Sequence, residues 1–313
     1  MTSHSWPELN DIDLAPTLGM LHLQTQIVGK IRLVLTPWEN HSWHVPLYLS
    51  ARGYATGLVL TQKLGFTAEF DLLSAEWVVR TTTDRETRLP LVSGNIADFY
   101  GSVLTSLREL GVEVSIDPMP SELPAGVRFD EDYERRVFDP DVARQYWKAL
   151  LQAHRVLQRF RTRFTGKVSP IHLFWGSFDL AVTRFSGREA PRHLGGAPFL
   201  NDAVMREAYS REVSSAGFWP NLGSRDGPCF YSYAYPVPER YASRAVMPAG
   251  ARFDAKLGEF ILPYSVVRAS DDPDASVLDF LQTTYEAAAD LAGWDRERLE
   301  RAEGLLGRPP IGS

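Results

Sequence analysis

Cysteine is almost absent from this chain. Cys229 is the single one in 313 residues, so no disulfide can form within the chain, and a reducing compartment is expected. No stretch approaches the ~18 consecutive apolar residues of a membrane-spanning helix. The opening "MTSHSWPELNDIDLAP" has neither the basic nor the apolar region of a secretory signal. A cytoplasmic protein is therefore expected. A basic excess is also missing, since the net charge is −6. Neither nucleic acid nor membrane is then an expected partner. The strong catalytic signatures are missing too: no G-x-G-x-x-G after a strand, no Walker loop, no G-x-S-x-G, no H-E-x-x-H and no paired C-x-x-C. "TGKVS" at Thr165 lacks the upstream glycine of a phosphate loop. These absences argue against dinucleotide enzymes, P-loop hydrolases, elbow-type serine hydrolases and common zinc enzymes, and no cofactor is expected.

What remains is an ordinary globular composition, 44% hydrophobic and 23% charged. Apolar residues recur at helical spacing from Leu14 to Leu35. Asn95, with Asp98 three residues on, starts a second helix that Gly111 stops. Asp139-Pro140-Asp141 and Asp272-Pro273-Asp274 are helix starts, with a side-chain cap, a first-turn proline and an acid at the positive end. Strands are expected in "HVPLYLSARG" from His44, "FTAEFDLL", "EWVVRTTT", "VEVSI", "CFYSYAYP" and "GEFILP". "SPIHLFWGSFDLAVTRFSG", from Ser169 to Gly187, reads as one long central strand. The fold class is α+β, with mainly antiparallel sheets flanked by long helices.

The chain reads as two similar helix–three-strand–helix halves packed as one unit. The first spans residues 1–117 and the second 139–303. The proline-rich, acidic stretch 118–138 is the linker, and 304–313 is a flexible tail. In each half a helix with basic residues near its end leads to a strand opened by a histidine, His44 or His172. Residues 188–228 form a long loop with one short helical run. Loops of that length in compact domains are usually functional, and this one carries Phe218 and Trp219.

Alternation along the strand from His44 puts Tyr48 and Arg52 on its polar face. Tyr231 and Tyr233 share a face on the strand from Cys229. Along the long strand, His172 and Arg184 fall on one face, Trp175 and Asp179 on the other. A carboxylate in a central strand must have a partner or a perturbed pKa, and an arginine (Arg52 or Arg184) or a backbone donor is the expected partner of Asp179. Tyr209 and Glu212, three apart, point the same way from the loop helix and could close a pocket. His41, His44 and His172 make a three-histidine metal site conceivable, but no acid lies near in sequence, and no metal is expected. Arg144, Lys148, Arg155, Arg159 and Arg163 line one side of the third helix as a solvated face.

The strings "QIVGKIRLVLTP", "HSWHVPLYLSARG", "SPIHLFWGSFDLAVTRFSGR", "EVSSAGFWP" and "LQTTYEAAADLAGWDR" resemble a bacterial family known as domain of unknown function 5996. The resemblance runs from Trp6 to Arg298. It implies one family-wide architecture and carries no assigned activity. The family pattern has a histidine where this chain has Arg211, so a metal or proton-transfer role there is not implied for this chain.

The site residues thus named support binding of a small anionic or polar-aromatic ligand under the 188–228 loop, by Tyr48, Arg52, Trp175, Arg184, Tyr209, Glu212, Trp219, Tyr231 and Tyr233. The alternatives are a hydrolase or isomerase using Asp179, His172 or His44 as acid and base, and a structural or interaction module. A pocket with a hydrogen-bonded histidine–carboxylate pair favours the enzyme, and a pocket without one favours binding. Oligomeric state is not legible in the sequence.

Overall fold

The computed structural model describes residues 6–9, 12–222 and 227–308. Part of the expected tail, 309–313, and the start of the chain lie outside them. In the first half, α1 (Ala15–Leu35) is followed by β1 (Tyr48–Leu49), β2 (Gly53–Ala55), β3 (Val59–Leu60), β4 (Gly65–Asp71), β5 (Glu76–Thr81) and β6 (Glu86–Pro90), then α2 (Ile96–Glu109). In the second, α3 (Pro140–Thr162) precedes β7 (His172–Phe174), β8 (Asp179–Glu189), α4 (Asp202–Ala208), β9 (Arg211–Trp219), β10 (Cys229–Tyr235), β11 (Arg252–Asp254) and β12 (Glu259–Pro263). Three helices close the chain: α5 (Tyr264–Ala269), α6 (Pro273–Leu291) and α7 (Arg296–Leu299). The class is α+β with two antiparallel sheets, each of six strands rather than three.

The capping residues act as their chemistry dictates. Asn95 accepts from the Asp98 amide, Asp139 from those of Asp141 and Val142, and Asp272 from that of Ala275. α1 is buried on most sides, Gln24, Thr25 and Gln26 included. It lies against α2, α3 and β3. Core residues from Trp6 to Trp294 form one contiguous cluster drawn from both halves. No helix of the described residues is long and apolar enough to cross a membrane.

The second sheet runs β11-β12-β10-β9-β8-β7. One face, with Leu180, Phe218, Phe230 and Leu262 in register, belongs to the main core. The first sheet approaches at the β7 edge, where Leu47 bridges to Leu173.

Four expectations fail here. The stretch from Ser169 to Gly187 is not one strand. The chain reverses between β7 and β8, with Phe178 at φ 59° and its ring in the core. Reversal also reorders the faces, because directly paired residues share a side. Phe174 pairs with Asp179 and His172 with Ala181, so His172 and Asp179 share a face and Arg184 takes the other. His44 opens no strand; it follows a one-turn 3-10 helix at Asn40–Ser42, and β1 starts only at Tyr48. "VEVSI" forms no strand. Residues 211–219 of the expected loop are the sheet strand β9, so the irregular cover is only 190–210, with α4 inside it.

Candidate functional site

The cavity of about 600 Å³ stands on the other face of the second sheet. Pairing sets its floor in rows. Asp179 lies in register with Trp219, Ala181 with Gly217 and Tyr231, Thr183 with Ser215 and Tyr233, and Tyr233 with Glu259 by extension of the β10–β12 ladder. The β7–β8 turn forms one wall through Trp175, Gly176 and Ser177. Trp175 lies flat over Gly29 of α1, where any Cβ would strike its ring, and its indole donates to the Val45 carbonyl at 3.0 Å.

The cover is fastened to the first half through His41 and to the linker through Glu122. The His41 amide donates to Glu207 of α4 at 2.7 Å, and its Nδ1 meets the Ala208 carbonyl at 2.9 Å. The Glu122 amide donates to the Pro198 carbonyl at 2.8 Å. Beneath the cover, the Tyr209 and Tyr233 hydroxyls meet at 2.9 Å, and the His193 ring stacks on Tyr209.

Asp179 is buried, as its sequence neighbours imply, but no arginine among the described residues holds it. Ser177 and Tyr231 donate their hydroxyls to its two oxygens. Burial raises its pKa above the ordinary carboxylate value, and the two hydroxyls offset only part of that. Tyr231 reaches across β9 because residue 217 is glycine. A Cβ there would stand 2.6 Å from the Tyr231 hydroxyl and collide with the Leu180 carbonyl. Gly217→Ala is therefore expected to cost about 1–3 kcal/mol by overpacking. A thermal melt equal to wild type would contradict it.

Two further carboxylates enter the cavity. Glu122 comes from the proline-rich segment, placed there because the neighbouring Ser121 amide donates to Gln26 of α1 at 2.7 Å. Glu122 is exposed, opening onto the cavity. The protein crowded around it, with the Asp179 charge adding to that, raises its pKa to about 7. Glu259, at the start of β12, is raised to about 7 first by burial, then by Asp179 and Asp254. His172 lines the same cavity at 1% exposure, and neither ring nitrogen reaches a partner among the other described residues. Burial lowers its pKa to about 4, so it is neutral at physiological pH. No lysine or arginine lines the cavity among the described residues.

Of the expected ligand residues, Trp175, Tyr209, Trp219, Tyr231 and Tyr233 line this cavity, with His172 and Asp179. The rest are elsewhere. Arg52 pairs with Asp71 beside the first sheet. Arg184 is buried behind the second sheet, its guanidinium 3.5 Å from the Phe160 ring centre. Tyr48 stacks under Arg32. Glu212 pairs with Arg188, because it sits on β9 rather than on the helix of Tyr209. His44 is buried outside the lining, its Nδ1 accepting from the Glu39 amide at 3.2 Å. The described residues contain no group of three or more histidine, cysteine or acidic side chains placed to hold a metal, and no histidine–carboxylate side-chain hydrogen bond is found among the cavity residues described. Glu122 and Glu259 have no sequence signature; an acid opening a strand, as in "GEFILP", is the nearest thing to one.

A model of a family described as "Family of unknown function (DUF5996)" matches residues 6–301. No curated protein and no solved structure matches the chain.

Proposed function

The chain belongs to the DUF5996 family of unknown function, and we propose from its cavity that it binds a small organic cation, an amine carried on an apolar or aromatic body. One observation carries this reading: three carboxylates and a wall of tyrosine and tryptophan rings face a cavity with no lining lysine or arginine among the described residues. Aromatic faces attract a desolvated cation by about 0.5–2 kcal/mol each, and carboxylates supply the opposite charge. The anionic ligand rested on Arg52 and Arg184, which lie outside the cavity; the charge of the lining points to a cation instead. The enzymatic reading has less support, because His172 and Asp179 share a face without a hydrogen bond between them. A bacterial, cytoplasmic setting belongs to the proposal, supported by the lone cysteine and the family resemblance.

Matched pairs of ligands test it. Phenethylamine and tyramine are expected to raise the melting temperature saturably, and phenylacetate and 4-hydroxyphenylacetate are not. Equal or stronger stabilisation by the carboxylates, or none by either set, would overturn the cation reading.

A further inference from the structure

Resting on the organic-cation reading, we infer that the ligand is a linear di- or polyamine, its ammonium groups met separately by Asp179, Glu122 and Glu259. The argument starts from where the three acids stand. Asp179 begins β8 and Glu259 begins β12, with β9 and β10 between them. Three strand spacings amount to about 14 Å across the sheet. Asp179 and Glu259 also lie in different rows of the floor, one level with Trp219 and the other with Tyr233. Glu122 enters from a third direction, on the segment between α2 and α3 that is bonded to α1 and to the cover. The acids are therefore dispersed along the cavity. A compact monoammonium ion cannot touch all three, whereas a chain with ammonium groups separated by short methylene runs can.

The surroundings fit such a chain. At about 600 Å³ the cavity is within the range that takes drug-sized molecules, and one small aromatic amine would leave much of it unfilled. Tyr231 and Tyr233 lie on the floor between Asp179 and Glu259 with near-parallel rings, their centres 6.1 Å apart, and supply apolar ring surface for methylene runs. His172 gives an independent sign of a ligand. It is 1% exposed, lines the cavity, and has no partner among the other described residues for either ring nitrogen. A neutral imidazole there can accept a hydrogen bond from an ammonium group, which would relieve the cost of its isolation.

Titration calorimetry with spermidine, putrescine and phenethylamine tests the inference on the whole chain. Spermidine is expected to bind about tenfold or more tighter than phenethylamine. Glu259→Gln and Glu122→Gln, which keep side-chain size, are each expected to weaken spermidine by about tenfold and phenethylamine by less than about threefold. Phenethylamine binding as tightly as spermidine would overturn the polyamine inference and leave the organic-cation reading standing. Binding of neither would overturn both. Equal loss for both amines in Glu259→Gln and in Glu122→Gln would overturn the separate-contact arrangement. Circular dichroism of the two variants shows whether a loss reflects unfolding.

Discussion

Asp179→Asn is expected to melt higher than wild type near pH 8, to lose that advantage near pH 4, and to bind amines at least about tenfold more weakly. The carboxyl group is buried, and burial raises its pKa in the folded protein. In the unfolded chain it titrates at the ordinary value. Between those two values the folded state holds the proton and the unfolded state does not, so the slope of stability against pH is negative. Stability from this group is complete below the ordinary carboxylate pKa and is lost as pH rises through the raised folded value. Asparagine keeps the shape and never ionises, so its advantage grows over that window. Glu122 and Glu259, both raised to about 7, contribute the same sign up to neutral pH in wild type and variant alike. Part of that shift comes from the Asp179 charge, so in Asp179→Asn both acids titrate lower and lose less stability as pH rises, which adds to the variant's advantage, while the lowered histidines cancel in the difference. At this chain length a gain of 1 kcal/mol moves the melt by about 1.5 °C. Asp179→Ala is a different experiment, because it strands the Tyr231 and Ser177 hydroxyls and costs about 1–3 kcal/mol. Asp179→Asn melting below wild type near pH 8 would mean that the ionised carboxylate stabilises the fold. Undiminished amine binding would remove Asp179 from the site.

An exchange of stability for charge explains why the site was only half legible. The helix starts could be read because a cap is a local event: Asn95, Asp139 and Asp272 each bond an amide two or three residues away. The aromatic floor was legible for a similar reason, since alternation along β10 depends only on the strand itself. β9 was not, because "EVSSAGFW" is rich in small residues with weak strand preference, and it is a strand because β8 and β10 pair with it on both sides. The β7–β8 reversal carries no Asn-Gly signal; it turns through Trp175, Gly176, Ser177 and Phe178, whose positive φ no sequence rule favours. Missing that turn put His172 and Arg184 on one face and misassigned the partner of Asp179. Glu122 is placed by a bond between Ser121 and Gln26, 95 residues apart, which no local pattern reveals.

Arg184 shows the same limit from the core side, and its substitutions carry the largest expected effect on stability. Its side chain is 0% exposed. The guanidinium lies 3.5 Å from the ring centre of Phe160, 4.4 Å from Tyr285 and 5.0 Å from Phe164. One nitrogen donates to the Phe160 carbonyl, and Nε and Nη1 have no partner among the described residues. Among the described residues no carboxylate stands within ion-pair distance of it. Burial pulls its pKa down to about 9, which leaves it charged at neutral pH. Three rings thus bear most of the cost of an isolated cation. Arg184→Ala empties that space and is expected to cost about 3–5 kcal/mol, the range of large-to-small core changes. Arg184→Met fills it without a charge to desolvate. It is expected to lie within about 1 kcal/mol of wild type or above it, as when buried charges give way to apolar residues of like volume. Denaturant midpoints at unchanged slope measure both. Methionine costing as much as alanine would mean that the cation over the rings, rather than the filled volume, holds this part of the core.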